Sequence, residues 1–230
     1  MKNFKKFEKI LGFKFENEDL LKSSVVHRSY LNEHKSFNIE HNERLEFLGD
    51  AVLELVVTDY LYNHYPNPEG ELTNWRAALV NAKILADISR SLEIEEFLYM
   101  SKGEAKDVNP KARNYILANA IEAIIGAIYL DQGFEAARKF ITNNVLDKLP
   151  NILENNLYLD PKSRFQERSQ ELYSVTPSYK VLKETGPDHN KFFRIGVYIK
   201  SELIAQGEGS SKQEAQIDAA QKGLEAKGWE

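Results

Sequence analysis

The stretch NERLEFLGDAVLEL, Asn42 to Leu55, decides how this chain is read. On a helix turning 100° per residue, Glu43, Glu46 and Asp50 fall within roughly 60° of one another. Leu45, Leu48 and Val52 face the other way, toward a core. A row of acids on an amphipathic helix is often only a solvated face. Three features favour a site. The stripe holds only acids, with Arg44 off it. Like charges at these spacings destabilise a helix unless something neutralises them. Gly49 sits mid-helix, where glycine costs about 1 kcal/mol relative to alanine, which implies close approach by another backbone. Glu54 also falls on the stripe and receives no role.

Working outward, the first 150 residues read as helix after helix. Asn42 to Tyr65 carries Leu45, Leu48, Val52, Leu55 and Val56 at spacings of three and four. Leu72, Trp75, Leu79, Ala82, Leu85 and Ile88 continue that pattern as a second helix. Asn114 to Leu130 is a third, apolar nearly all round and therefore buried, and Phe134 to Leu149 is a fourth. Ser101 to Lys111 holds Gly, Asp, Asn and Pro and reads as a loop. On the greasy third helix, Asn119 and Glu122 stand at i and i+3. Polar groups there must be paired with each other or bind something. Hard oxygen donors from two helices are what Mg²⁺ prefers, and such an ion polarises a phosphodiester and helps generate hydroxide.

The pattern changes after Pro150 to Pro161, where Asn is dense and periodicity lapses. Lys162 to Tyr173 looks helical and Ser178 to Lys183 looks like a strand. Phe193, Ile195, Val197 and Ile199 alternate as a half-buried strand, and Leu203 to Gln206 is a third. Ser211 followed by Glu214 is a capping box opening a last helix. The expected architecture is an all-α domain followed by an α+β domain of order α-β-β-β-α. The domains are expected at residues 1–152 and 160–229, with a linker at 153–159.

Composition narrows the function classes. The net charge of −5 argues against a polyanion partner at the level of totals. Eleven of the 30 basic and eleven of the 35 acidic residues lie from Asp160 onward, so the whole acidic excess sits in the first domain. That suits a metal site there, and a neutral second domain leaves room for local basic contacts. The chain has no cysteine, which excludes disulfides and thiolate-bound zinc. No run of roughly 18 apolar residues suggests a membrane span, and the basic N-terminus is too interrupted for a signal peptide. A cytoplasmic protein without membrane partners or organic cofactor is the expectation.

HNERLEFLGDAVLEL resembles the signature of ribonuclease III, and PEGELTNWRAALVN, ILANAIEAIIGAIYLDQG and the C-terminal module follow in that family's order. The resemblance covers essentially the whole chain. It implies an endonuclease fold and a homodimer that cuts double-stranded RNA with Mg²⁺, for which Mn²⁺ would substitute. Each subunit would cut one strand, leaving 5′-phosphate and 3′-hydroxyl ends with a two-nucleotide 3′ overhang. It further implies processing of precursor ribosomal RNA and of some messenger and transfer RNA precursors. By resemblance, Asp50 and Glu122 are catalytic, and Glu46, Asp50, Asn119 and Glu122 hold the metal. Glu43 and Glu69 are cleft acids, and Phe47 packs across the subunit interface. The departure is Asn119, where the family usually has Asp. An amide oxygen still coordinates hard cations but lacks a negative charge, so activity is expected to persist with weaker metal binding.

The C-terminal module resembles a double-stranded RNA-binding domain. Gln166 and Glu167 match first-helix positions that reach the minor groove, and His189 in the Gly186-Pro187-Asp188-His189 loop matches a second minor-groove contact. Lys212 would add its charge to the positive end of the last helix and clamp phosphate. Without that context Lys212 is a surface lysine and His189 a turn histidine. Gln213 stands where the family often has another basic residue. A-form RNA offers a wide, shallow minor groove lined with 2′-hydroxyls, which suits readout by shape. Two rival readings remain: a non-catalytic RNA-binding protein, supported only by Asn119, and a hydrolase of another phosphate ester, which would leave the RNA-binding module idle.

Overall fold

The computed structural model describes residues 2–107, 109–187 and 191–229. The chain forms two compact units, residues 1–158 and 159–230. The first is helical: α1 (Phe4–Leu11), α2 (Glu18–Ser24), α3 (Arg28–Glu33), α4 (Glu43–His64), α5 (Glu69–Leu79), α6 (Ala82–Ser91), α7 (Lys102–Lys106), α8 (Pro110–Gln132), α9 (Phe134–Asn144) and α10 (Leu149–Glu154). The second holds α11 (Pro161–Tyr173), β1 (Ser178–Thr185), β2 (Phe192–Ile199), β3 (Glu202–Gly209) and α12 (Lys212–Lys227).

The core of the first unit is built on α4 and α8. From α4 it takes Leu45, Val52, Leu53, Val56, Val57 and Leu61, and α8 buries an unbroken run from Ala120 to Ile128 save Glu122. Two glycines set how closely these helices cross. A β-carbon on Gly49 would overlap the carbonyl oxygen of Glu122, and one on Gly126 would overlap the carbonyl oxygen of Leu45. The mid-helix glycine expected to meet another backbone does so, and its propensity cost is offset by a backbone-to-backbone contact no side chain would allow.

Several boundaries differ from expectation. The apolar pattern from Leu72 to Ile88 is two helices, because the Asn81 side chain accepts from Ile84 N at 3.0 Å and caps a new start. Leu79 and Leu85 both reach the core, so periodicity runs on across the break. The expected loop at Ser101–Lys111 contains α7 and the first two residues of α8. Ser101 caps α7, and Arg113 donates to the carbonyls of Glu104 and Ala105 at 3.0 and 3.2 Å, holding that turn onto α8. The fourth helix ends at Asn144; a 3₁₀ turn at Leu146–Lys148 and then α10 follow. Leu153 and Tyr158, inside the segment expected to be linker, pack on the first core, and the Tyr158 ring lies 5.8 Å from that of Trp75.

In the second unit the strands form an antiparallel sheet in the order β1-β2-β3. Phe193, Ile195, Val197 and Ile199 all point to the buried side, as strict alternation requires. Phe165 of α11 and Leu224 of α12 complete that core. Gly207 lets β3 lie against α12, since a β-carbon there would overlap the carbonyl of Ala215. Ser211 caps α12 by accepting from Glu214 N at 3.2 Å, and the Glu214 carboxylate reaches back to Ser210 N at 3.1 Å, one residue before the cap.

Candidate active site and RNA-binding surface

Because α4 and α8 meet through glycine, the charged side chains flanking the contact act on one another. Glu46 is half-buried, Asp50 is exposed, and Asn119 and Glu122 are half-buried. The Glu122 carboxyl is pushed up to about 8, first by burial and then by the charges of Asp50 and Glu46. Glu46 is raised by burial and by Glu43, opposed by a hydrogen bond from the Asn119 side chain, with Asp50 raising it further. The two halves expected from sequence therefore feel one another across the helix crossing. Asn119 also bears on Glu46 of the other helix, restraining the rise of its pKa.

No Lys or Arg pairs with Glu46, Asp50 or Glu122 among the described residues. Desolvated like charges without a counter-cation raise each other's pKa, and a divalent cation is the ion that would reverse this. The donors are all hard oxygens, so the residues fit Mg²⁺. Among the described residues, no three acidic, histidine or cysteine side chains are grouped closely enough to hold a metal ion by themselves.

The remaining expected residues lie apart from that crossing. Glu43 faces Arg28 at 3.3 Å and His41 at 3.8 Å. Glu69 opens α5, is exposed, and accepts from Thr73 Oγ1 at 3.4 Å. It lines a groove of about 540 Å³ with Thr58, Tyr62, Thr73 and Arg76. Phe47 is 81% exposed, on a second groove with Arg44, Leu48 and Leu130. Glu54, which had no role, forms an ion pair with Arg76 at 2.9 Å. Its place on the acidic stripe was readable, but its partner lies on another helix, beyond the reach of local spacing.

In the second unit, Gln166 and Glu167 are exposed on α11. Lys212 is exposed at the first position of α12, beside backbone N–H groups that no intrahelical carbonyl satisfies, and its ammonium lies 5.8 Å from the Phe193 ring centre. His189 lies outside the described residues.

Residues 17–149 match the Ribonuclease-III-like family model, and residues 161–227 match the double-stranded RNA binding motif. The chain belongs to the ribonuclease III family. It is 48% identical over 225 residues to Ribonuclease 3 of Carboxydothermus hydrogenoformans, covering 97% of this chain and 95% of that one. With Ribonuclease 3 of Nitratiruptor it shares 40% over 225 residues, covering 97% and 96%. Among solved structures, the nuclease domain of ribonuclease III from Campylobacter jejuni superposes with a TM-score of 0.57 at 41% identity, covering 64% of this chain and 99% of that one. The enzyme is accordingly an endoribonuclease acting on double-stranded RNA, and the non-catalytic alternative falls. No described helix is long and apolar enough to cross a membrane.

Proposed function

We propose that the enzyme hydrolyses both strands of a double-stranded RNA as a homodimer, with Asp50 and Glu122 as catalytic carboxylates and Glu46, Asp50, Asn119 and Glu122 as the donors for Mg²⁺. The observation that carries this is the glycine-locked crossing of α4 and α8, which sets Glu122 within the electrostatic reach of Asp50 and Glu46, with no Lys or Arg paired to them among the described residues. When bound there, Mg²⁺ or Mn²⁺ would polarise the phosphodiester and ease deprotonation of the attacking water. The chain's own part is positional. Glu46 and Glu122 are fixed by burial at the crossing, the Asn119 side chain bears on Glu46, and exposed Asp50 is open to substrate.

Phe47 supports the dimer, because a phenyl ring left 81% in water is one a second subunit would cover. The C. jejuni nuclease domain is described in terms of a region involved in dimer formation. Two sites, one per subunit, would cut opposite strands and leave two-nucleotide 3′ overhangs with 5′-phosphate and 3′-hydroxyl ends. Gln166, His189 and Lys212 would hold the duplex by its minor groove and phosphates, with Glu43 and Glu69 shaping the cleft. Precursors of ribosomal RNA, with some messenger and transfer RNA precursors, are the substrates this reading favours. A cytoplasmic setting belongs to it, since a chain without cysteine suits a reducing compartment.

The test compares Asp50→Asn and Glu122→Gln with the parent enzyme. Both variants are expected to bind a labelled duplex with parental affinity while cutting falls to background. Retained cutting by either, or loss of duplex binding, overturns the assignment.

A further inference from the structure

The acidic stripe on α4 does not end at Asp50. Glu54 stands one turn further along the same face, at the i, i+4 spacing at which like charges on a helix oppose one another. Left free, it would be a further carboxylate beside the cutting site, repelling Asp50 and competing with it for any cation. It is not free. Arg76 of α5 places Nε 2.9 Å from the Glu54 carboxylate and donates from Nη1 to Thr58 Oγ1 at 3.0 Å. The guanidinium therefore grips two successive turns of α4.

Arg76 also has a fixed relation to Glu69. Seven residues separate them on α5, which is two turns, so both lie on one face with Thr73 between. All three line the groove of about 540 Å³ along the C-terminal half of α4. Trp75 and Leu79 bury the flank of α5 next to that face and hold the helix down.

We propose that Arg76 is a positioning residue for strand cleavage: by pairing with Glu54 it removes that acid from the stripe and leaves Asp50 as its last free carboxylate. This rests on Asp50 belonging to the cutting site. The effect is one of charge on a neighbour, and that separates it from a role as a tether between helices. If Arg76 merely ties α5 to α4, removing Glu54 as well cannot help. If it silences Glu54, removing Glu54 restores what the loss of Arg76 destroyed.

The experiment is a double-mutant cycle in the full-length enzyme, using Arg76→Met, Glu54→Gln and their combination, with Asp50→Asn as control. Single-turnover cutting of a defined duplex, duplex affinity and Tm are measured for each. Arg76→Met is expected to lower the cutting rate about tenfold with duplex affinity within about twofold of parental. Glu54→Gln alone stays within about twofold, and the double variant returns to within about threefold, although its Tm is no higher than that of Arg76→Met. Should Arg76→Met not fold, Arg76→Gln carries the same cycle. A double variant as slow as the Arg76 variant, or an Arg76 variant that cuts at the parental rate, overturns the proposal. Retained cutting by Asp50→Asn would instead overturn the site assignment on which it rests.

Discussion

Gly49 of α4 lies flush against the backbone of Glu122 on α8, so that a β-carbon at position 49 would overlap the Glu122 carbonyl oxygen. One contact thus fixes both the core and the distance between the two halves of the acidic site. Gly49→Ala gains about 1 kcal/mol of helix propensity. It also forces apart two backbones that cannot yield as a side chain would, an overpacking cost of about 1–3 kcal/mol or more. The expected result is a lower urea midpoint and a fall in cutting on the order of 10²-fold, since small displacements of reacting groups are that costly. An alanine variant with parental midpoint and rate would show the crossing to be looser than the structure has it.

The Glu122 carboxyl, pushed up to about 8 by burial and by Asp50 and Glu46, makes stability depend on pH. Its folded pKa stands above the ordinary carboxylate value of 4.5, so the folded chain holds the proton more tightly than the unfolded chain. The resulting stabilisation is complete below that ordinary value and is lost as pH rises through the folded one. Glu46 is raised too and acts with the same sign. The Tm of metal-free enzyme is therefore expected to fall as pH rises from about 4.5 to about 8. Glu122→Gln should flatten most of that slope, and Mg²⁺ should reverse it at the alkaline end. Melting curves in chelator across this range check it; a Tm that rises with pH would contradict the coupling.

The Asn119 side chain restrains the rise of the Glu46 pKa. Aspartate there would remove that restraint and add a further negative charge to groups already repelling one another. Metal-free Asn119→Asp is thus expected to melt lower than the parent and to gain more Tm on adding Mg²⁺, while the parent itself remains active. Titrating both with Mg²⁺, reading Tm and duplex cutting in parallel, tests this. If the two respond identically, the residue 119 side chain does not face the ion.

Much of this was legible because helices and strands write their buried faces locally. The stripe of Glu43, Glu46 and Asp50, the greasy run carrying Asn119 and Glu122, and the alternation of Phe193 to Ile199 are all periodic facts. Gly49 was informative for the opposite reason, as a local cost only a tertiary contact could offset. What stayed hidden was contact between distant segments. The break at Asn81 was masked because Leu79 and Leu85 serve one core from two helices. The Glu54–Arg76 pair joins residues of α4 and α5, and Tyr158 docks on Trp75 from a segment that reads as linker. No spacing rule reports which side chains a turn brings together.

Lys212, exposed at the start of α12, carries a prediction about salt. A phosphate contact weakens binding evenly across sequences and releases counterions. Lys212→Ala should lower affinity for unrelated duplexes by a similar factor and reduce the slope of log affinity against log salt by about one. Fluorescence anisotropy on two duplexes of different sequence at several salt concentrations would show it. A loss confined to one sequence would mean that the lysine reads bases.

Phe47 supplies the prediction about assembly. It is 81% exposed on a helix whose other large apolar residues mostly face the core, and Leu130, 54% exposed, lines the same groove. In a two-fold dimer each such contact occurs twice, once on either subunit. Burying a phenyl ring is worth about 2 kcal/mol, so two rings contribute about 4 kcal/mol to association. Phe47→Ala should then weaken the dimer on the order of 10³-fold. No core contact is lost, so the far-ultraviolet spectrum and the Tm of dilute protein should change little. Sedimentation equilibrium over a wide concentration range measures this directly. An alanine variant as dimeric as the parent would place the interface on another face, and a parent that stays monomeric at every concentration would remove the dimer from the reading altogether.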